Sequence, residues 1–142
     1  MVFAGFGFKK VSVEKFESPK GKLNVDIKID ITNITNPEFK FGDKETAIFE
    51  FSFKIIYTPK IAELELTGSL AVADESKAIK KIIDDWKDKK IEETLRLSII
   101  NTIMSKCNVK ALSLEEDLGL PFHIPMPKVK AGKSEKAEKK AK

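Results

Sequence analysis

The chain is poor in the residues that build reactive centres. Among its 142 residues there is one Cys, one His, one Arg, one Tyr, one Trp and no Gln. A zinc site takes three or four Cys, His or carboxylate ligands, so Cys- and His-based metal sites are excluded and no cofactor is expected. One Cys forms no intramolecular disulfide, which fits a reducing, cytoplasmic compartment. No run approaches the ~20 apolar residues that span a bilayer, so no membrane insertion is expected. The apolar start, Met1 to Phe8, has no preceding basic region and no small-residue cleavage site, which argues against a signal peptide. Abundant Lys, Glu and Ile without Gln resembles hyperthermophile usage.

The net charge of +4 hints at a nucleic-acid partner. Its distribution reverses the hint. Residues 128–142 hold seven lysines and two glutamates, a balance of +5. Residues 1–127 hold the remaining 19 basic and 20 acidic residues, a balance of −1. The expected organisation is a single domain over 1–127 and a flexible Lys-rich tail over 128–142, since the tail lacks large apolar residues beyond Val129. A nucleic-acid-binding module working through that tail is the alternative function. It lacks the aromatics that interleave with basic residues in single-strand binders.

The first half alternates. Leu23, Val25, Ile27, Ile29 and Ile31 interleave with polar residues, the period of a half-buried strand. Ala47, Phe49, Phe51, Phe53, Ile55 and Tyr57 form a second such set, and Ala62, Leu64 and Leu66 a third. Phe6 to Phe16 reads as a strand ending at Ser18-Pro19-Lys20-Gly21, and Gly68 marks a bulge or close approach. These short links predict a four-stranded antiparallel sheet with one longer loop, Asn36 to Lys44. From Asp74, a good N-cap, the period becomes helical, over Ser76 to about Lys106. A shorter helical segment is expected over Leu112 to Leu118, capped by Ser113. The fold class is therefore α+β.

Two features exceed what a monomeric core needs. The helix carries one apolar line through Ile79, Ile82, Ile83, Trp86, Leu97, Ile100 and Met104. A second runs through Ile91, Leu95, Ile99 and Ile103. Two apolar faces over one sheet mean a subunit interface or a deep core, and the second line is the candidate interface. The other feature is the ten phenylalanines. Phe39 and Phe41 lie in the polar loop and Phe122 in a proline-rich segment, either as a greasy groove or as caps on the sheet edge. Catalysis fails on inventory, because nothing in the sequence orients Cys107 or His123 and the carboxylates are scattered.

Several segments, in order, resemble the SecB family of export chaperones. Phe6-Gly7-Phe8-Lys9-Lys10-Val11-Ser12-Val13-Glu14 is similar to the family's first strand, and Leu23 to Thr32 to its second. Glu65-Leu66-Thr67-Gly68-Ser69-Leu70-Ala71-Val72 is similar to its fourth. Leu118-Gly119-Leu120-Pro121-Phe122-His123-Ile124-Pro125-Met126-Pro127 resembles its Pro-rich C-terminal segment. The resemblance implies an ATP-independent holdase, not an enzyme, working as a tetramer built as a dimer of dimers. It implies that unfolded client polypeptides bind in hydrophobic grooves, here at Phe39, Phe41, Leu120, Phe122 and Ile124. Ile91, Leu95, Ile99 and Ile103 would then join subunits.

Overall fold

The computed structural model describes residues 1–19, 21–38, 40–125 and 127. Phe39 and the Lys-rich stretch 128–142 lie outside the described residues. The elements are β1 (Val2–Lys15), β2 (Asn24–Thr35), β3 (Lys40–Phe41), β4 (Lys44–Thr58), β5 (Ala62–Asp74), α1 (Ser76–Trp86) and α2 (Glu93–Leu118). The α+β class and the antiparallel sheet are as expected. The sheet has five strands because the Asn36–Lys44 loop contains β3, a two-residue strand against Lys44 and Glu45. Gly42, at φ 68, makes the tight turn between β3 and β4.

The strand order is β1-β5-β4-β2, all antiparallel. Consecutive strands β1 and β2 thus form opposite edges. The strands with the most buried residues, β4 and β5, take the centre. Odd-numbered residues of β4 from Ala47 to Tyr57 are buried, as are the cross-strand Leu64, Leu66, Leu70 and Val72 of β5. On the same face lie Val25, Ile27, Ile29 and Ile31 of β2 and Phe6, Phe8, Val11 and Val13 of β1. Each fully buried Phe, Leu or Ile contributes roughly 1.5–3 kcal/mol.

The helices cover this face, with a boundary unlike the predicted one. The single helix expected over Ser76–Lys106 is broken after Trp86. The shorter segment expected over Leu112–Leu118 is continuous with α2. The break is a Schellman closure. Lys90 N–H donates to the Asp85 carbonyl at 3.1 Å, and Lys89 N–H to the Trp86 carbonyl at 2.8 Å. Lys89 adopts φ 57, a conformation that glycine usually supplies. Glu92 then caps α2, its carboxylate accepting from the amides of Thr94 at 3.2 Å and Leu95 at 3.1 Å. Asp74 is not the N-cap of α1. It sits one residue early, and its carboxylate accepts from Glu75 N–H at 2.7 Å. Ser113 lies inside α2 and caps nothing.

Candidate functional site

The inner ridge of α2 runs Ile99, Ile103, Cys107, Ala111 and Glu115, four residues apart and all buried. Its last member is a carboxyl group at the end of an apolar ridge. Alternation along β4 brings Tyr57 beneath it, and the Tyr57 hydroxyl donates to Glu115 Oε2. Burial first, then that carboxyl group, raises the Tyr57 pKa above the ordinary phenolic range. Past Leu118 the helix closes on Gly119 at φ 66. Leu120 N–H donates to the Glu115 carbonyl at 2.9 Å, and Lys15 Nζ donates to the Leu118 carbonyl at 2.9 Å. This reversal carries His123 back over Glu115. The His123 amide donates to Oε1 at 3.2 Å, and Nδ1 lies 3.0 Å from both carboxyl oxygens. Nε2 is 2.9 Å from Asn108 Oδ1, and the ring edge meets Phe53 with centroids 6.3 Å apart. Tyr57, Glu115, His123 and Asn108 thus form a buried polar knot joining the sheet, α2 and the C-terminal segment.

This knot does not form a catalytic base. Both ring nitrogens of His123 are occupied and its side chain has no exposed surface. Cys107 is closed off in the core, and burial pushes its thiol up to about 12.

The residues singled out in the sequence fall into separate places. Phe41, 45% exposed, stands on the β3–β4 hairpin. Phe122 is 43% exposed at the opposite end of the molecule, Ile124 is half-buried beside it, and Leu120 is anchored in the core. Phe41 pairs with Lys44, while His123 sits on Phe53, nine residues further along β4. At 3.3 Å per residue that is about 30 Å. One chain therefore does not bring Phe41 and Phe122 into a single groove.

The candidate interface line also needs correcting. Ile99 and Ile103 are fully buried within one chain, because this line is the face α2 lays on its own sheet. The deep-core reading holds for them. Ile91 and Leu95 are half-buried and line a hollow of about 250 Å³ with Ala78 and Ile82, rimmed by Asp74, Lys81, Asp85 and Glu92. The exposed apolar side chains of α2 are instead Leu97 and Val109. Sequence reasoning missed Tyr57 and Glu115 as partners. The available signal was a lone Glu at the end of a four-residue apolar ridge.

No protein-family model matches the chain, and no curated protein matches it in sequence. Among solved structures it superposes on a SecB-like chaperone of Mycobacterium tuberculosis, determined in complex with a ChAD peptide from the HigA1 antitoxin. The TM-score is 0.55 at 9% identity, covering 89% of this chain and 88% of that one. The fold is SecB-like. At 9% identity the likeness concerns the backbone, so the SecB-like architecture is reached here with this chain's own side chains. Among the described residues no helix is long and apolar enough to cross a membrane.

The SecB-like sheet leaves apolar surface at its β1 edge. Phe3, Phe8 and Val11 point to the helix side of the sheet and remain exposed. Phe6 stacks on Phe51 at 5.4 Å and meets Phe8 edge-on at 5.3 Å, over Gly68. Lys106 of α2 reaches 5.9 Å from the Phe6 ring. The opposite sheet face is mixed, with Lys10 and Glu65 paired at 2.9 Å and half-buried Ile48 and Ile56 of β4 among its polar residues.

Proposed function

We propose that the protein is an ATP-independent chaperone that holds unfolded polypeptides on exposed apolar surface. The observation that carries this reading is the pairing of a SecB-like fold with large apolar side chains left in the open. These include Phe41 on its hairpin, Phe122 beside half-buried Ile124 and core-anchored Leu120, and Phe3 and Phe8 on β1. The neighbour's peptide complex supports polypeptide as the ligand class. Holding works by mass action: a protein that binds the unfolded state slows both folding and aggregation of its client.

The chain acts as an oligomer in this reading, and the resemblance implies a tetramer. β1 is a 14-residue edge strand with apolar residues exposed, and such edges are normally covered. Cytoplasmic location and a role in protein transport belong to the same proposal. Aggregation of a chemically unfolded client, followed by light scattering without nucleotide, tests it. Equimolar protein suppresses the aggregation, and Phe41→Asp with Phe122→Asp weakens suppression several-fold. Unimpeded aggregation with the unaltered protein overturns the reading. The +5 balance of residues 128–142 favours one alternative, sequence-blind nucleic-acid binding. That reading requires steeply salt-dependent binding that disappears when 128–142 is removed.

A further inference from the structure

The segment from Leu120 to Pro125 is a strap over the end of the sheet. Its described hydrogen bonds all run to α2: the Leu120 amide to the Glu115 carbonyl, the His123 amide and Nδ1 to the Glu115 carboxyl group, and Nε2 to Asn108. Pro121 and Pro125 have no amide to offer. Toward the sheet the strap makes apolar contact, through Leu120 in the core and the His123 ring on Phe53. Beyond the helix-closing bond at Leu120, the strap's described hydrogen bonds are all made by His123, with Leu120 adding its side chain to the core.

The ground beneath it is apolar and continues to an open edge. Phe53 pairs with Ile29 of β2, and the next inward residue, Ile55, with Ile27. Phe53 and Ile55 are fully buried while Ile27 is exposed on the edge strand. The row Ile27, Ile29, Phe53 therefore begins in solvent and ends under the His123 ring of the strap. The strap itself is a non-helical apolar peptide, Leu-Pro-Phe-His-Ile-Pro, with Leu120 and His123 inward and Phe122 outward. The seat is thus already filled by a segment with the chemistry of an unfolded apolar chain.

We infer that the strap occupies, in cis, a seat for a client's apolar segment, and that His123 is the pin whose release opens it. This rests on the chaperone reading. When the strap lifts, Phe53 loses the His123 ring and joins the exposed Ile27 through Ile29, and Phe122 stays tethered beside them. A client segment then replaces the strap and takes over its apolar contacts.

The chain's single Tyr and single Trp make the test clean. Tyr57 lies in the knot, and Trp86 lies at the far end, bonded to Asn33 at 3.3 Å. His123→Ala removes the pin, whereas His123→Asn keeps a side-chain N–H for Glu115. Amide hydrogen exchange at 53–57 and 120–125 reads the strap. Unchanged Trp86 fluorescence verifies the rest of the fold. Fluorescence anisotropy with labelled, reduced and carboxymethylated lactalbumin reads the seat. His123→Ala is expected to speed exchange and tighten binding by about tenfold, the factor for raising an open form from about a tenth to nearly all. His123→Asn stays close to the unaltered protein in both. If His123→Ala disturbs Trp86, Asn108→Ala, which removes only the Nε2 partner, shifts both readouts the same way by less. Exchange that does not rise overturns the pin. Faster exchange with unchanged or weaker binding overturns the cis-occupant. Faster exchange with no lactalbumin binding by any form, the unaltered protein included, overturns the chaperone reading itself and with it the seat.

Discussion

Gly68 has no room for a side chain. A Cβ there would lie 2.2 Å from the Gly7 carbonyl oxygen and 2.9 Å from Phe8 Cα, both backbone, and 3.0 Å from the Phe51 ring. The sequence marked this position as a bulge or close approach, and β1 passing close over β5 is the reason. Gly68→Ala is expected to lower stability by about 1–3 kcal/mol in chemical denaturation, as overpacked cores do. Tyr57 is legible in sequence only as a core residue, because its bond to Glu115 links positions 58 residues apart. Its pKa is raised in the fold above the unfolded 10.0. The stabilisation is therefore complete below pH 10 and declines as pH rises beyond it. Tyr57→Phe should unfold more easily at neutral pH by about 1–3 kcal/mol, since Glu115 loses a donor. Its stability should then fall less than the unaltered protein's above pH 10; parallel curves would contradict the assignment. Cys107, with its thiol pushed up to about 12, should resist iodoacetamide until the protein is unfolded.

At the scale of elements, strands were more legible than helix ends. Alternation located β2 and β4 closely, because one face of each turns toward the core, but it reached only the first half of β5, which continues past Gly68 to Asp74. β1 begins at Val2, earlier than the expected Phe6. Gly5 and Gly7 contribute no side chains, and the register shifts between Phe3 and Gly5, so the period is lost there. The break between α1 and α2 was illegible because Lys89, not glycine, holds the left-handed position. Lys89 Nζ lies 4.7 Å over the Trp86 ring, a cation–π contact across the turn. Glu92 restarts the helix. The Thr94 and Leu95 amides hold its carboxyl below the usual range. The contribution is present above the unfolded pKa of 4.5 and disappears as pH falls through the folded value. Glu92→Gln should lower the melting temperature at pH 7, and the difference should close in acid, as followed by circular dichroism.

For the whole molecule, the charge split, the α+β class and the absence of reactive residues were readable at once. The functional surface was not. Phe41 and Phe122 were grouped in sequence because both are apolar residues in polar or proline-rich surroundings. The fold sets them about 30 Å apart along β4. A continuous groove joining them therefore needs a second copy of the chain. Light scattering should give a mass that is a multiple of 16.0 kDa. A monomer would remove the groove that joins Phe41 to Phe122.

What the sequence alone determined are the local properties: strand and helix periods, the end of the first strand at Ser18-Pro19-Lys20-Gly21, the near-neutral 1–127 and the basic 128–142. Each depends on residues within a few positions of one another. Only the tertiary structure decided which apolar face turns inward. Ile99 and Ile103 face their own sheet because α2 crosses it with that ridge, and nothing local distinguishes one apolar line from another. It also decided that Glu115, Tyr57 and His123 meet. A buried carboxyl group must find donors, and those donors come from a strand and a C-terminal segment that adjoin it only once the chain has folded.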